Sequence, residues 1–172
     1  MMRTIRRTAT RRRLRRAGLL LVVLAALVLP IQALAGAQVP YKGSDSGGFA
    51  VPGTCAAGLQ IVIAGSGNAT HLGRYTYNST ECFNPATGGF AGSPTLTAAN
   101  GDTVVGAYSG QVFPTADPNV INYEEVLVVT GGTGRFAGAS GEFEVSGVAN
   151  LATGEYSQTM SGTLSTPGSV SQ

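Results

Sequence analysis

The chain has no tryptophan, a single histidine (His71) and two cysteines (Cys55 and Cys82) in 172 residues. A protein-built metal site draws on several such ligands at set spacings, so neither a metal nor a cofactor is expected. Charge is scarce too, with Asp, Glu, Lys and Arg making up 12% of the chain. Helical periodicity is missing; where a pattern exists, apolar residues recur every second position. The long apolar run, Ala17 to Leu29, is too short to cross a bilayer comfortably as a helix. These absences argue against a helical bundle and a multi-span membrane protein.

That apolar run has a recognisable setting. Arg3, Arg6, Arg7, Arg11, Arg12, Arg13, Arg15 and Arg16 precede it, Pro30 ends it, and Ala33-Leu34-Ala35 and Ala35-Gly36-Ala37 follow. A basic head, a short apolar core and small residues at a cut define an export signal. Residues 1–37 are therefore expected to be removed, with cleavage after Ala35 or Ala37; an uncleaved anchor is the alternative. Thr10-Arg11-Arg12-Arg13-Leu14 partly resembles a twin-arginine signal. The mature protein is expected outside the cytoplasm, with no stable membrane span.

Removing the leader reverses the charge. The full chain is +2, but only Lys42, Arg74 and Arg135 follow the leader, against nine acids, which gives −6. A nucleic-acid partner needs a cationic footprint, and three cations scattered along the chain do not supply one. An anionic membrane surface is disfavoured for the same reason.

Both cysteines lie in the exported part, where oxidation is permitted. A Cys55–Cys82 disulfide is expected. Free thiols, or a catalytic pair with His71, are the alternatives.

The mature region is long enough for one domain with a core. Residues 38–50 (QVPYKGSDSGGFA) read as a flexible lead-in, because Gly and Ser dominate. Strand-like runs follow at Leu59–Ala64, Ala69–Cys82, Gly89–Ala99, Thr103–Phe113, Ile121–Thr130, Gly141–Ala149 and Glu155–Leu164. Within Ala69–Cys82, His71, Gly73, Tyr75 and Tyr77 share one face. Asn100-Gly101-Asp102 is a hairpin signal. Asn84-Pro85-Ala86-Thr87-Gly88 and Asn150-Leu151-Ala152-Thr153-Gly154 share an N-x-A-T-G pattern, each followed by an aromatic, Phe90 or Tyr156. Duplicated hairpins and convergent turn chemistry both explain it. The fold expected is all-β: a small closed antiparallel barrel of about eight strands over residues 51–165, since closure removes exposed edges. A β-sandwich or jelly roll is the alternative, with residues 166–172 a polar tail. Missing Trp argues against an immunoglobulin domain.

The densest motif is Val126 to Gly147, VLVVTGGTGRFAGASGEFEVSG. Gly132-Thr133-Gly134-Arg135-Phe136-Ala137 fits the dinucleotide fingerprint G-x-G-x-x-G/A. That fingerprint works by opening a helix on the pyrophosphate, whereas Glu142 to Val145 alternates as a strand. A glycine-rich connection is the better reading. The segment Thr130–Gly141 resembles the G-G-T-G-x-F-x-x-A-x-G signature of the allene oxide cyclase and dirigent barrel superfamily, especially its exported bacterial members. Gly67-Asn68-Ala69-Thr70-His71-Leu72-Gly73-Arg74-Tyr75 resembles a second motif of those members. The resemblance spans about residues 50 to 165 and implies an eight-stranded antiparallel barrel. No catalytic residue of the plant enzymes matches a position here.

Candidates for chemistry are few, and no catalytic residue is assigned. His71 is a conceivable base. Arg74 and Arg135 could hold an anionic group, though pairing with carboxylates is the plainer reading. Glu124 and Glu125 point to opposite faces if extended, so one could turn inward and gain a raised pKa. Asn68-Ala69-Thr70 and Asn78-Ser79-Thr80 match N-glycosylation sequons, a frequent chance pattern. The expected function is a non-catalytic exported barrel, binding a small apolar ligand or acting at the cell surface. Alternatives are an isomerase of an oxidised lipid or a dirigent-like guide of radical coupling.

Overall fold

The computed structural model describes residues 37–165. The expected leader up to residue 36 and the expected polar tail lie outside the described residues. Eight strands follow in order: β1 (Gln38–Cys55), β2 (Gly58–Ala69), β3 (Gly73–Phe83), β4 (Gly89–Ala98), β5 (Thr103–Pro114), β6 (Val120–Gly132), β7 (Gly141–Asn150) and β8 (Glu155–Ser165). Each pairs antiparallel with the next, and β1 pairs with β8, closing the barrel. The barrel expected from the sequence is thus present, and the sandwich alternative is not.

Residues 38–50 correct one expectation. They are no lead-in but most of β1, an 18-residue strand that pairs with β8 along its first part and with β2 further on. Its period of two is real: Val39, Tyr41, Gly43, Asp45, Gly47 and Phe49 are less exposed than the residues between them. Glycines and an aspartate at inward positions hide the apolar alternation that normally betrays a strand. The barrel therefore begins at Gln38, not at residue 51.

Alternation fixes what lies inside. Leu96, Leu127, Phe143 and Leu164 are fully buried, with Tyr41, Val104 and Met160 beside them. Outward positions carry mostly Ser, Thr, Asn and Glu, as in Ser44, Ser46, Asn78, Thr80, Glu142 and Glu144. A lipid-facing barrel wall requires the opposite arrangement.

The glycine-rich connection between β6 and β7 plugs the lower end. It makes a single 3-10 turn at Gly134–Phe136 and inserts Phe136 and Ala139 into the core. Arg135 anchors it, its Nη2 donating to the Leu72 carbonyl at 3.2 Å, across the barrel mouth. The turn is too short to hold a pyrophosphate in the fingerprint's manner.

At the upper end Cys55 and Cys82 form a disulfide, with Cα atoms 5.8 Å apart, ordinary geometry for such a bond. It ties the end of β1 to the end of β3 across the intervening β2. Such bonds persist in oxidising compartments.

Candidate functional site

The inward-facing polar residues gather in the middle and upper part of the lumen. All six tyrosines of the chain take part in the interior: Tyr41, Tyr75, Tyr77, Tyr108 and Tyr156 are buried and Tyr123 packs against the core. Asp45, Glu81 and Glu125 face inward with them. The three cations of the described chain, Lys42, Arg74 and Arg135, are all exposed. The interior is thus acidic and phenolic, with no basic partner.

Asp45 on β1 is the best-satisfied member. It accepts hydrogen bonds from Tyr75 Oη (2.7 Å), Tyr156 Oη (2.8 Å) and Gln158 Nε2 (3.1 Å). Tyr123 Oη donates to Gln158 Oε1 at 2.9 Å and extends the network to β6. Four strands are thereby joined through one carboxylate. Burial pushes its pKa up, and the three donors pull the other way.

Glu81 forms a second centre. Tyr108 Oη donates to its carboxylate at 2.8 Å, and the Ser79 hydroxyl lies 2.8 Å from the same phenol oxygen. Burial raises the Glu81 pKa against that hydrogen bond.

Glu125 differs from both. It is 7% exposed and its Oε1 has no hydrogen-bond partner. Burial first, and then the charges of Glu81 and Asp45, push its pKa up to about 8. A carboxyl in this position is neutral over most of the physiological range and ionises only at mildly alkaline pH. Burial likewise pushes every one of the six phenols above its ordinary range.

Glycines make room for the aromatic rings. A Cβ at Gly65 would strike Tyr156, at Gly92 Tyr108, at Gly110 Phe90, and at Gly147 Tyr123. Each ring leans over a glycine on another strand, which is how Tyr108 on β5 crosses β4 to reach Glu81 on β3. Side chains therefore occupy the lumen. One open hollow of about 1360 Å³ is lined by outward residues such as Ser46, Ala64, Asn78 and Ser93 together with Phe49, Ile63, Ser79 and Tyr156.

The expected candidates separate. Glu124 and Glu125 do point to opposite faces, Glu124 exposed and Glu125 buried. His71 does not share the face of Tyr75 and Tyr77: it sits in the turn before β3, exposed, with φ of 65°, and its Nε2 is 3.2 Å from the Pro40 carbonyl. A catalytic pair with cysteine is ruled out by the disulfide. Arg135 lies 3.6 Å from Asp102, while Arg74 stands exposed on β3. Among the described residues no three His, Cys, Asp or Glu side chains could hold a metal ion. Sequence reading missed Asp45 and Glu81. The signal for Glu81 was its parity with Tyr75 and Tyr77 along β3.

No family model matches the chain, and no curated protein matches it.

Proposed function

We propose that this protein is an exported, non-catalytic barrel of the allene oxide cyclase and dirigent type that works through its outer surface, at or beyond the cell surface. The carrying observation is the lumen, which is filled by the protein's own side chains. That filling favours the surface role over carriage of a small apolar ligand. Three features support the reading. The disulfide suits an oxidising compartment. The eight-stranded closed meander agrees with the superfamily resemblance of Thr130–Gly141. Val51, Leu59, Phe113 and Leu151 are exposed at the upper rim, apolar side chains available for contact with a partner.

Native mass spectrometry of the protein from the producing cell's exported fraction tests this. A bare, oxidised chain beginning after Ala35 or Ala37 is expected. A retained lipid-sized molecule, or an intact leader, overturns it.

A second reading has one specific support. Glu125 is a buried carboxyl with a free oxygen and a pKa near neutrality, the properties of a general acid or base. An isomerase of an oxidised lipid would use it to move a proton. That reading requires turnover of an epoxide-bearing lipid that disappears in Glu125→Gln while the fold is kept.

A further inference from the structure

We propose that the outer wall is a self-association surface: the cationic corner around Lys42 and Arg74 docks on the acidic and apolar strip of a second copy, around Glu124, Val126, Val128, Glu142 and Glu144, so that barrels join head to tail. The inference rests on the surface role and deepens it by naming a second copy of this chain as the partner.

Closure gathers cations that lie far apart in the sequence. Lys42 on β1 donates its backbone N–H to the Thr70 hydroxyl at 2.9 Å, and its carbonyl accepts from the Thr70 N–H at 2.8 Å. Arg74 on β3 pairs with Asn68, which pairs in turn with Ser44 of β1. The two cations thus flank the end of β2, and both are exposed. Arg135 joins them from the β6–β7 connection through its bond to the Leu72 carbonyl. Among the described residues the one ion pair is Arg135 with Asp102. Lys42 and Arg74 therefore have no carboxylate within 4.0 Å, although nine acids follow the leader.

The acids outside the lumen lie elsewhere. Glu124 on β6 and Glu142 and Glu144 on β7 are all exposed. In the register of these strands Val126 faces Glu144 and Val128 faces Glu142. The two valines are 43% and 45% exposed, so apolar surface runs beside a row of carboxylates. Such a strip is complementary to side chains that combine apolar stems with positive ends. Lys42 and Arg74 have both: their methylenes can cover the valines while the ammonium and guanidinium reach the carboxylates.

The placement of the two faces sets the form of the assembly. β4 and β5 separate them on one side of the barrel and β8 on the other. Within one copy Ser161 of β8 stands between Lys42 and Glu144. The cations are therefore matched by a neighbour's acids, and each added copy leaves one face of each kind free. A heterologous contact of this kind continues as an open chain. General repulsion between copies is modest, because Asp45, Glu81 and Glu125 are inside and the outer surface carries six acids against three cations.

Sedimentation equilibrium of the exported, oxidised protein tests this. At low ionic strength the weight-average mass is expected to rise by about twofold or more between about 10 μM and about 1 mM, as a weak contact requires. It should return to the monomer in about 0.5 M salt. Lys42→Gln/Arg74→Gln removes the cationic corner, and Glu124→Gln/Glu142→Gln/Glu144→Gln removes the acidic strip. Each variant alone should stay monomeric. Mixed in equal amounts, they keep one intact face of each kind and should form pairs that grow no further. All these side chains point outward, so unfolding midpoints should stay near wild type; should a variant fail to fold, the concentration and salt dependence of the wild type still decides. A monomeric wild type over the whole range, association indifferent to salt, growth retained in either variant, no pairs in the mixture or a closed species of fixed size would overturn the proposal. Leader cleavage and ligand content, which test the surface role, are read separately, so the two readings fail independently.

Discussion

Single residues set the stakes inside this barrel. Asp45 accepts from three buried donors. Asp45→Ala leaves those donors unpaired, and each costs about 1–3 kcal/mol when stranded. A loss above about 3 kcal/mol in urea unfolding is expected, against about 1 kcal/mol for Tyr75→Phe, which deletes one bond. Glu125 gives stability an unusual slope with pH. Its pKa is about 8 folded against an ordinary 4.5, so the folded chain holds a proton that the unfolded chain has released. Stability is therefore greatest below about pH 4.5 for this group and falls as pH rises toward 8. The slope is at most about 1.4 kcal/mol per pH unit, and denaturation midpoints across that window should show it in wild type and lose it in Glu125→Gln. The inward turn of one residue of the Glu124–Glu125 pair was legible from strand parity. Asp45 was not, because Ser and Gly surround it and read as linker.

At the scale of elements, turns and ring-over-glycine pairs specify the barrel. The two N-x-A-T-G turns have one geometry. Gly88 and Gly154 have φ of 74° and 72°, and each donates 2.8 Å hydrogen bonds to Asn84 and Asn150, four residues back. The two Asn side chains accept from Ala86 and Ala152 at 3.0 and 2.9 Å. This likeness was legible in the sequence, since Asn and Gly are the residues such turns demand. Gly154→Ala should cost about 1 kcal/mol or more for its left-handed backbone. Interior glycines are a different matter: their backbone is extended, and what they supply is space. Gly92→Ala drives a methyl into the Tyr108 ring. It should destabilise strongly alone and far less in a Tyr108→Ala background. A coupling of about 1 kcal/mol or more in that double-mutant cycle is expected; strict additivity would deny the pairing. Glycines of this kind escaped sequence reading because their partners lie on other strands.

For the whole molecule, closure was legible from strand count and turn signals, while the contents of the lumen were not. The interior needed pairing registers that no local pattern contains. The disulfide across β1 and β3 closes a loop of 27 residues. Replacing both cysteines by serine should cost roughly 3–4 kcal/mol in the chain-entropy description, read as a lowered denaturant midpoint. Charge is segregated by the same closure: three carboxyls and six phenols inside, the cations outside. The most direct measurement of that arrangement is a carboxyl-carbon NMR titration of Glu125 in the folded barrel. An inflection near pH 8 is the expected result. An inflection at the ordinary glutamate value near 4.3 would mean that Glu125 meets water or a cation, and would contradict a sealed, cation-free lumen.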